Sequence, residues 1–157
     1  VFGQYKAGCH LITGLGETEQ EMVEVFGRLH DMGCVTHLFS FFPEAGSALD
    51  SHEPPTMGHY RRIQLARYLV DEGIAKASDM SFDDNGRLIG FGATEGVLDE
   101  TIASGEPFRT SGCPGPDGSV ACNRPYANSR PGPDIRNFPF APEPEDIEKV
   151  RRELGTP

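Results

Sequence analysis

A chain of 157 residues is long enough for one domain with its own core. An apolar share of 37% with 19 glycines and 13 prolines leaves room for a long irregular part. The formal charge of −10 repels phosphate backbones and anionic surfaces, so neither nucleic acid nor membrane is expected as a partner. No apolar run approaches the roughly 18 residues of a membrane span, and no basic segment leads into an apolar one at the start. Four cysteines without an extracellular signal read as cytosolic thiols or metal ligands, and the expected compartment is the cytoplasm.

Residues 8–14, an apolar run closing in a glycine turn, predict a buried parallel strand. Thr18-Glu19-Gln20-Glu21 has the capping-box pattern, and Met22, Val25, Phe26 and Leu29 follow at helical spacing up to a stop at Gly33. Residues 35–42 predict the next strand, ended by Pro43, which completes a strand–helix–strand unit. After a polar loop over 47–55, residues 59–72 predict a helix with Ile63, Ala66, Leu69 and Val70 on one face. Residues 74–82 predict a third strand, followed by the Asp83-Asp84-Asn85-Gly86 turn with its hairpin-favouring Asn-Gly pair. A short helix is expected over 94–103, with Val97, Leu98 and Ile102 inward. From 107 to 144 no periodicity remains. A charged helix over 145–154 closes the chain, with Ile147, Val150 and Leu154 on one side. Alternating strands and helices argue for an α/β fold with a parallel sheet, and an opening strand without an earlier partner suggests half of a barrel.

The sharpest motif is the run from Gly8 to Thr18, in which a strand ends in Gly14-Leu15-Gly16-Glu17-Thr18 and leads straight into a helix. Glycines allow a ligand to touch the backbone, and the helix start offers free amides and the positive end of a dipole. A tight strand-to-helix turn is the plainer reading of the same residues. Leu38-Phe39-Ser40-Phe41-Phe42-Pro43-Glu44-Ala45-Gly46-Ser47 and Tyr60-Arg61-Arg62-Ile63-Gln64-Leu65-Ala66-Arg67 follow in order. Together these three segments resemble the fifth strand, sixth strand and following helix of radical S-adenosylmethionine enzymes of the biotin synthase and lipoyl synthase type. The resemblance implies the C-terminal half of a TIM-type (β/α) barrel over residues 1–106, followed by an irregular cysteine-containing tail with a final helix over 107–157. It also implies that Gly14, Gly16, Glu17, Phe41, Phe42 and Pro43 line a pocket for S-adenosylmethionine at the C-terminal ends of the strands. Core packing is the alternative for the Phe41/Phe42 pair.

That family holds a [4Fe–4S] cluster with Cys-x-x-x-Cys-x-x-Cys. Here the cysteines stand at 9, 34, 113 and 122, and no such spacing occurs. Cys9 and Cys34 read as small buried residues. As it stands, the chain is not expected to cleave S-adenosylmethionine; its parent would. Cys113 and Cys122 lie in a Gly/Pro-rich stretch, and their spacing leaves open a shared cluster, free thiols or zinc. Phe108-Arg109-Thr110-Ser111-Gly112-Cys113-Pro114 followed by Cys122-Asn123-Arg124-Pro125-Tyr126 resembles the tail of proteins linked to two-component, archaeal-type lipoyl synthases. There the two cysteines are closer together; here 115–121 carry an insertion around Pro116-Asp117-Gly118-Ser119. The resemblance implies that Cys113, Cys122 and Ser111 hold an auxiliary [4Fe–4S] cluster. In the complete protein this cluster would give sulfide to an octanoyl chain on a lipoyl carrier protein, after a 5′-deoxyadenosyl radical has abstracted hydrogen. The implied partners are the missing N-terminal half of the barrel, a lipoyl carrier protein and a second synthase subunit.

Arg124, Arg130 and Arg136 are expected to pair with acidic partners or within the acidic chain itself. His10, His37, His52 and His59 read as structural or surface residues. Two other functions stay open: a biotin synthase-like enzyme with another substrate, and a non-catalytic half-barrel binding module. A Ser/His/Asp hydrolase is not indicated, since no nucleophile-elbow pattern occurs.

Overall fold

The structure, a computed structural model, describes residues 7–110, 113–114, 120–122 and 132–155. It is a mixed α/β arrangement. Strand β1 (Ala7–Thr13) and strand β2 (Cys34–Ser40) pair in parallel, from Ala7 opposite Cys34 to Thr13 opposite Ser40. Helix α1 (Glu19–Asp31) connects them and helix α2 (Met57–Asp71) follows, both packed against β2. Thr18 caps α1 as its sequence predicts: its hydroxyl accepts from the Glu21 amide at 3.1 Å, and the Glu21 carboxylate accepts from the Thr18 amide at 2.8 Å. Met22, Val23 and Phe26 carry the buried stripe of α1, while Val25 and Leu29 are half-buried.

β1 departs from the expected buried strand. Only Thr13 is buried; His10 and Ile12 are exposed on one face, and Leu11 on the other packs against the core. The helices cover a single face of the sheet at this strand. The third strand is also corrected. Residues 77–79 form a 3₁₀ turn, and only Ser81–Phe82 (β3) are extended, pairing antiparallel with Leu88–Gly90 (β4). The reason is local: the turn at Asp83 to Gly86 offers Phe82 a partner a few residues away, which closes at far lower entropic cost than insertion beside β2. Among the described residues each sheet has two strands and none closes.

Helix α3 (Glu95–Ser104) buries Ile102, but Val97, expected inward, is exposed. It ends at Gly105, where φ is +72° and a Cβ would meet Pro142 at 2.9 Å. Helix α4 (Pro144–Leu154) turns Val150 and Leu154 inward. The stretch without periodicity is not all peripheral. Phe108 and Phe138 are fully buried beside α2, and their backbones meet where the Phe138 amide donates to Phe108 O at 2.9 Å.

α2 is buried nearly all round, from Tyr60 to Ala66 without a break, and touches α1, β2, α4 and the turn at residues 106–108. It nevertheless carries Arg61 into the core. That guanidinium donates to Glu153 Oε2 at 2.8 Å, Gln64 Oε1 at 2.8 Å, Arg136 O at 2.6 Å and Ile135 O at 2.9 Å. It lies 5.7 Å from the Phe108 ring centre and 5.4 Å from that of Phe138. Arg61→Ala, which strands these acceptors, is expected to lower stability by about 3 kcal/mol in urea unfolding followed by circular dichroism.

Candidate functional site

The parallel pairing sets two loops side by side at the C-terminal ends of β1 and β2. The ladder runs one bond past the strands, with the Phe41 amide donating to Thr13 O at 2.9 Å. Gly14 and Gly16 have φ of +99° and +118°, a region that favours glycine. A Cβ on Gly14 would meet Pro55 at 2.4 Å, so the 47–56 loop closes directly over it. On Gly16 a Cβ would meet nothing within 4 Å, which leaves that backbone approachable. Ile12 and Leu15 beside it are about half exposed (50% and 47%), an apolar flank to the loop.

Of the residues expected to bind a ligand, Gly14, Gly16, Glu17 and Phe41 come together here. The aromatic pair diverges. Phe41 lies edge-on to the His52 ring at 5.2 Å, whereas Phe42 lies under the Arg136 guanidinium at 5.1 Å. Pro43 is half-buried next to it. The amides expected to be free for a ligand are engaged within the chain. Glu17 Oε1 accepts from the Gly14 amide at 2.6 Å and Oε2 from the Leu15 amide at 3.0 Å. At the start of α1, the Gln20 amide donates to Gly86 O at 2.9 Å and the Glu21 amide to Thr18. The motif glutamate itself fills the anion site that the glycines create. Burial opposes the charge on Glu17, but the Gly14 amide, the Thr13 hydroxyl and the Leu15 amide outweigh it and hold the carboxyl below its ordinary range.

Behind the loop stand groups that sequence reasoning left out. Thr13 Oγ1 donates to Glu17 Oε1 at 2.7 Å and lies 3.0 Å from His59 Nε2. His59 Nδ1 is 3.3 Å from Glu19 Oε1. Glu19, 3% exposed, accepts both Arg62 Nε, at 2.9 Å from Oε2, and Arg62 Nη2, and it also accepts the Leu88 amide at 2.8 Å. His52 Nε2 meets Gly14 O at 2.8 Å. His52 and His59 both stand at the glycine loop. No periodicity or short motif links residues 43 positions apart such as Glu19 and Arg62, which is why sequence alone missed them.

Arg136 pairs within the chain: it donates to Asp134, to Ser40 Oγ at 2.9 Å and to Pro55 O at 2.6 Å. Arg124 and Arg130 lie outside the described residues, as does Ser111. Cys113 and Cys122 are described as backbone only, in strands β5 (Cys113–Pro114) and β6 (Val120–Cys122), which are antiparallel with Cys113 opposite Cys122. Cys9 and Cys34 are free, half-buried thiols. Among the described residues no three His, Cys, Asp or Glu side chains converge as a metal site, and no helix is long and apolar enough to cross a membrane.

Glu19 sets an acid limit on this arrangement. Burial alone would raise its carboxyl, but hydrogen bonds from His59, Arg62 and the Leu88 amide bring it from an ordinary 4.5 to about 2. A depressed folded-state value stabilises the fold above pH 4.5, and that contribution is lost as pH falls from there towards 2. Glu19→Gln should be less stable than the parent at neutral pH. The gap is expected to narrow by about 1–2 kcal/mol across that acid window, read by urea unfolding at successive pH values.

Compared with protein-family models, with curated proteins and with solved structures, the chain finds no match.

Proposed function

We propose that the chain is the C-terminal half of a radical S-adenosylmethionine barrel, from a sulfur-inserting, lipoyl synthase-like enzyme. One observation carries this reading. Parallel pairing of β1 with β2 brings the Gly14-to-Glu17 loop and the Phe41-Phe42-Pro43 exit loop together at the strand ends, the face at which barrel enzymes bind their ligands.

The residues present fit an adenosyl ligand. Gly16 leaves its backbone approachable, Ile12 and Leu15 offer an apolar surface for a base, and the Glu17 carboxylate keeps the loop in one shape. Gly16, Glu17 and Phe41 would lie against S-adenosylmethionine, with Gly14, Phe42 and Pro43 shaping the two loops behind them. When bound at a reducing [4Fe–4S] cluster, this cofactor supplies a 5′-deoxyadenosyl radical that takes hydrogen from an unactivated C–H bond. On this reading the ligands of that cluster would come from an N-terminal half of the barrel. What this chain contributes is orientation and exclusion of water, by a loop that its own carboxylate shapes. Cys113 and Cys122, opposite each other in the β5–β6 ribbon, would hold the auxiliary cluster together with Ser111. Its sulfide would go to an octanoyl chain on a lipoyl carrier protein, with a second synthase subunit as the further partner.

The cysteine spacing favours one competing reading, a half-barrel binding module without catalysis. A biotin synthase-like enzyme with another acceptor would share the ligand site but not the tail cluster. Titration of S-adenosylmethionine into the chain by calorimetry should show binding that Leu15→Asp, at a surface position, weakens about tenfold. Anaerobic reconstitution should give about four irons per chain, lost in Cys113→Ala and in Cys122→Ala. Binding without iron would favour the module or the biotin synthase-like reading over sulfur insertion. Neither binding nor iron would remove the family reading.

A further inference from the structure

An unbroken polar chain runs from the core to the glycine loop: Arg62, Glu19, His59, Thr13, Glu17, and then the Gly14 and Leu15 amides. Its protons can be counted. An ionised carboxylate only accepts, so the single proton of the Thr13 hydroxyl goes to Glu17 Oε1 at 2.7 Å. The Thr13 oxygen is then left as an acceptor, a role that a proton on His59 Nε2, 3.0 Å away, would match. Nδ1 faces Glu19 Oε1 at 3.3 Å. Thr13 is fully buried, and Glu17 and His59 are the side chains that meet its hydroxyl among the described residues.

We infer that His59 is a positioning residue for ligand binding at the glycine loop: by donating from Nε2 to Thr13 it aims the Thr13 hydroxyl at Glu17, and so keeps the Glu17 carboxylate seated on the Gly14 and Leu15 amides. His59 does not line the loop's open side, where Ile12, Leu15 and Gly16 are exposed. It acts from the first turn of α2, where Thr56 caps the helix by accepting the His59 amide at 3.3 Å. Glu19, fixed by Arg62 and the Leu88 amide, holds the ring from the other side. The loop is thus shaped by a helix 40 residues further along the chain. Without the seated carboxylate, the Gly14 and Leu15 amides would be open to water, and the loop would sample shapes that glycine permits at no cost. The identity of the ligand, an adenosyl compound, rests on the family reading above; the positioning role rests on the chain of hydrogen-bond contacts.

Two measurements on the whole chain separate these. Amide hydrogen exchange reads the loop, and calorimetric titration with S-adenosylmethionine reads the ligand. In His59→Ala, exchange at Gly14 and Leu15 should quicken about tenfold, the loss of roughly one buried hydrogen bond, while the centre of α1 keeps its protection. Affinity should fall by a similar factor. His59→Gln, whose side-chain amide can still donate to Thr13, should restore most of both. If His59→Ala quickens exchange evenly through α1, α2 and the loop, the residue is merely structural and the inference falls. It falls equally if His59→Gln behaves like His59→Ala, since donation to Thr13 is then not what matters. If the parent chain shows no titration with S-adenosylmethionine, the family reading fails, and the exchange data still decide whether His59 positions the loop.

Discussion

Two adjacent arginines on a helix buried on almost every side constrain the rest of this fold. A guanidinium taken out of water without partners costs several kcal/mol, so Arg61 and Arg62 can enter the core only where acceptors meet them. They leave α2 in different directions. Arg61 draws in α4 through Glu153 and the 135–138 segment through two carbonyls. Arg62 draws in the first turn of α1 through Glu19, which in turn takes the Leu88 amide from the β3–β4 hairpin. Segments far apart in sequence are joined to one helix by charge-assisted hydrogen bonds as much as by apolar packing.

Two carboxylates two residues apart then divide the work at the site. Glu19 points inward and secures α1, α2 and the hairpin to one another. Glu17 points back along its own chain and caps the loop that precedes the helix. Both are held ionised by hydrogen bonds that outweigh burial. In a chain of net charge −10 this uses negative charge where backbone amides would otherwise stand open. It also means that a loop with the composition of an anion-binding turn is already satisfied from within. A ligand there would have to rest on carbon and exposed backbone around Gly16, not on the amides of Gly14 and Leu15.

Local chemistry was legible in the sequence, and distant pairing was not. Thr18 and Glu21 announce their capping box, the β1–α1–β2 unit follows from periodicity, and Asn85-Gly86 marks its turn. Residues 74–82 misled because a run with apolar residues can serve a local hairpin as readily as a parallel sheet. The glycine motif showed a tight turn with approachable backbone but not that Glu17 would fill the nest it makes. Phe108 and Phe138 sit in a stretch without periodicity because each is a single anchor against the Arg61 guanidinium, not part of a repeating face. His59, Thr13 and Glu19 become a set only when three elements converge, and no spacing along the chain encodes that.

The tail shows the same distinction between separation along the chain and separation in space. Nine positions along the chain separate Cys113 from Cys122, and an extended backbone would hold them far apart. An antiparallel ribbon reverses that expectation, because residues opposite each other in register have Cα atoms about 4.5–5.5 Å apart whatever the length of the turn between them. Cys113 stands opposite Cys122 in such a register. Two positions distant along the chain thus become neighbours across a ribbon, by backbone pairing and not by spacing.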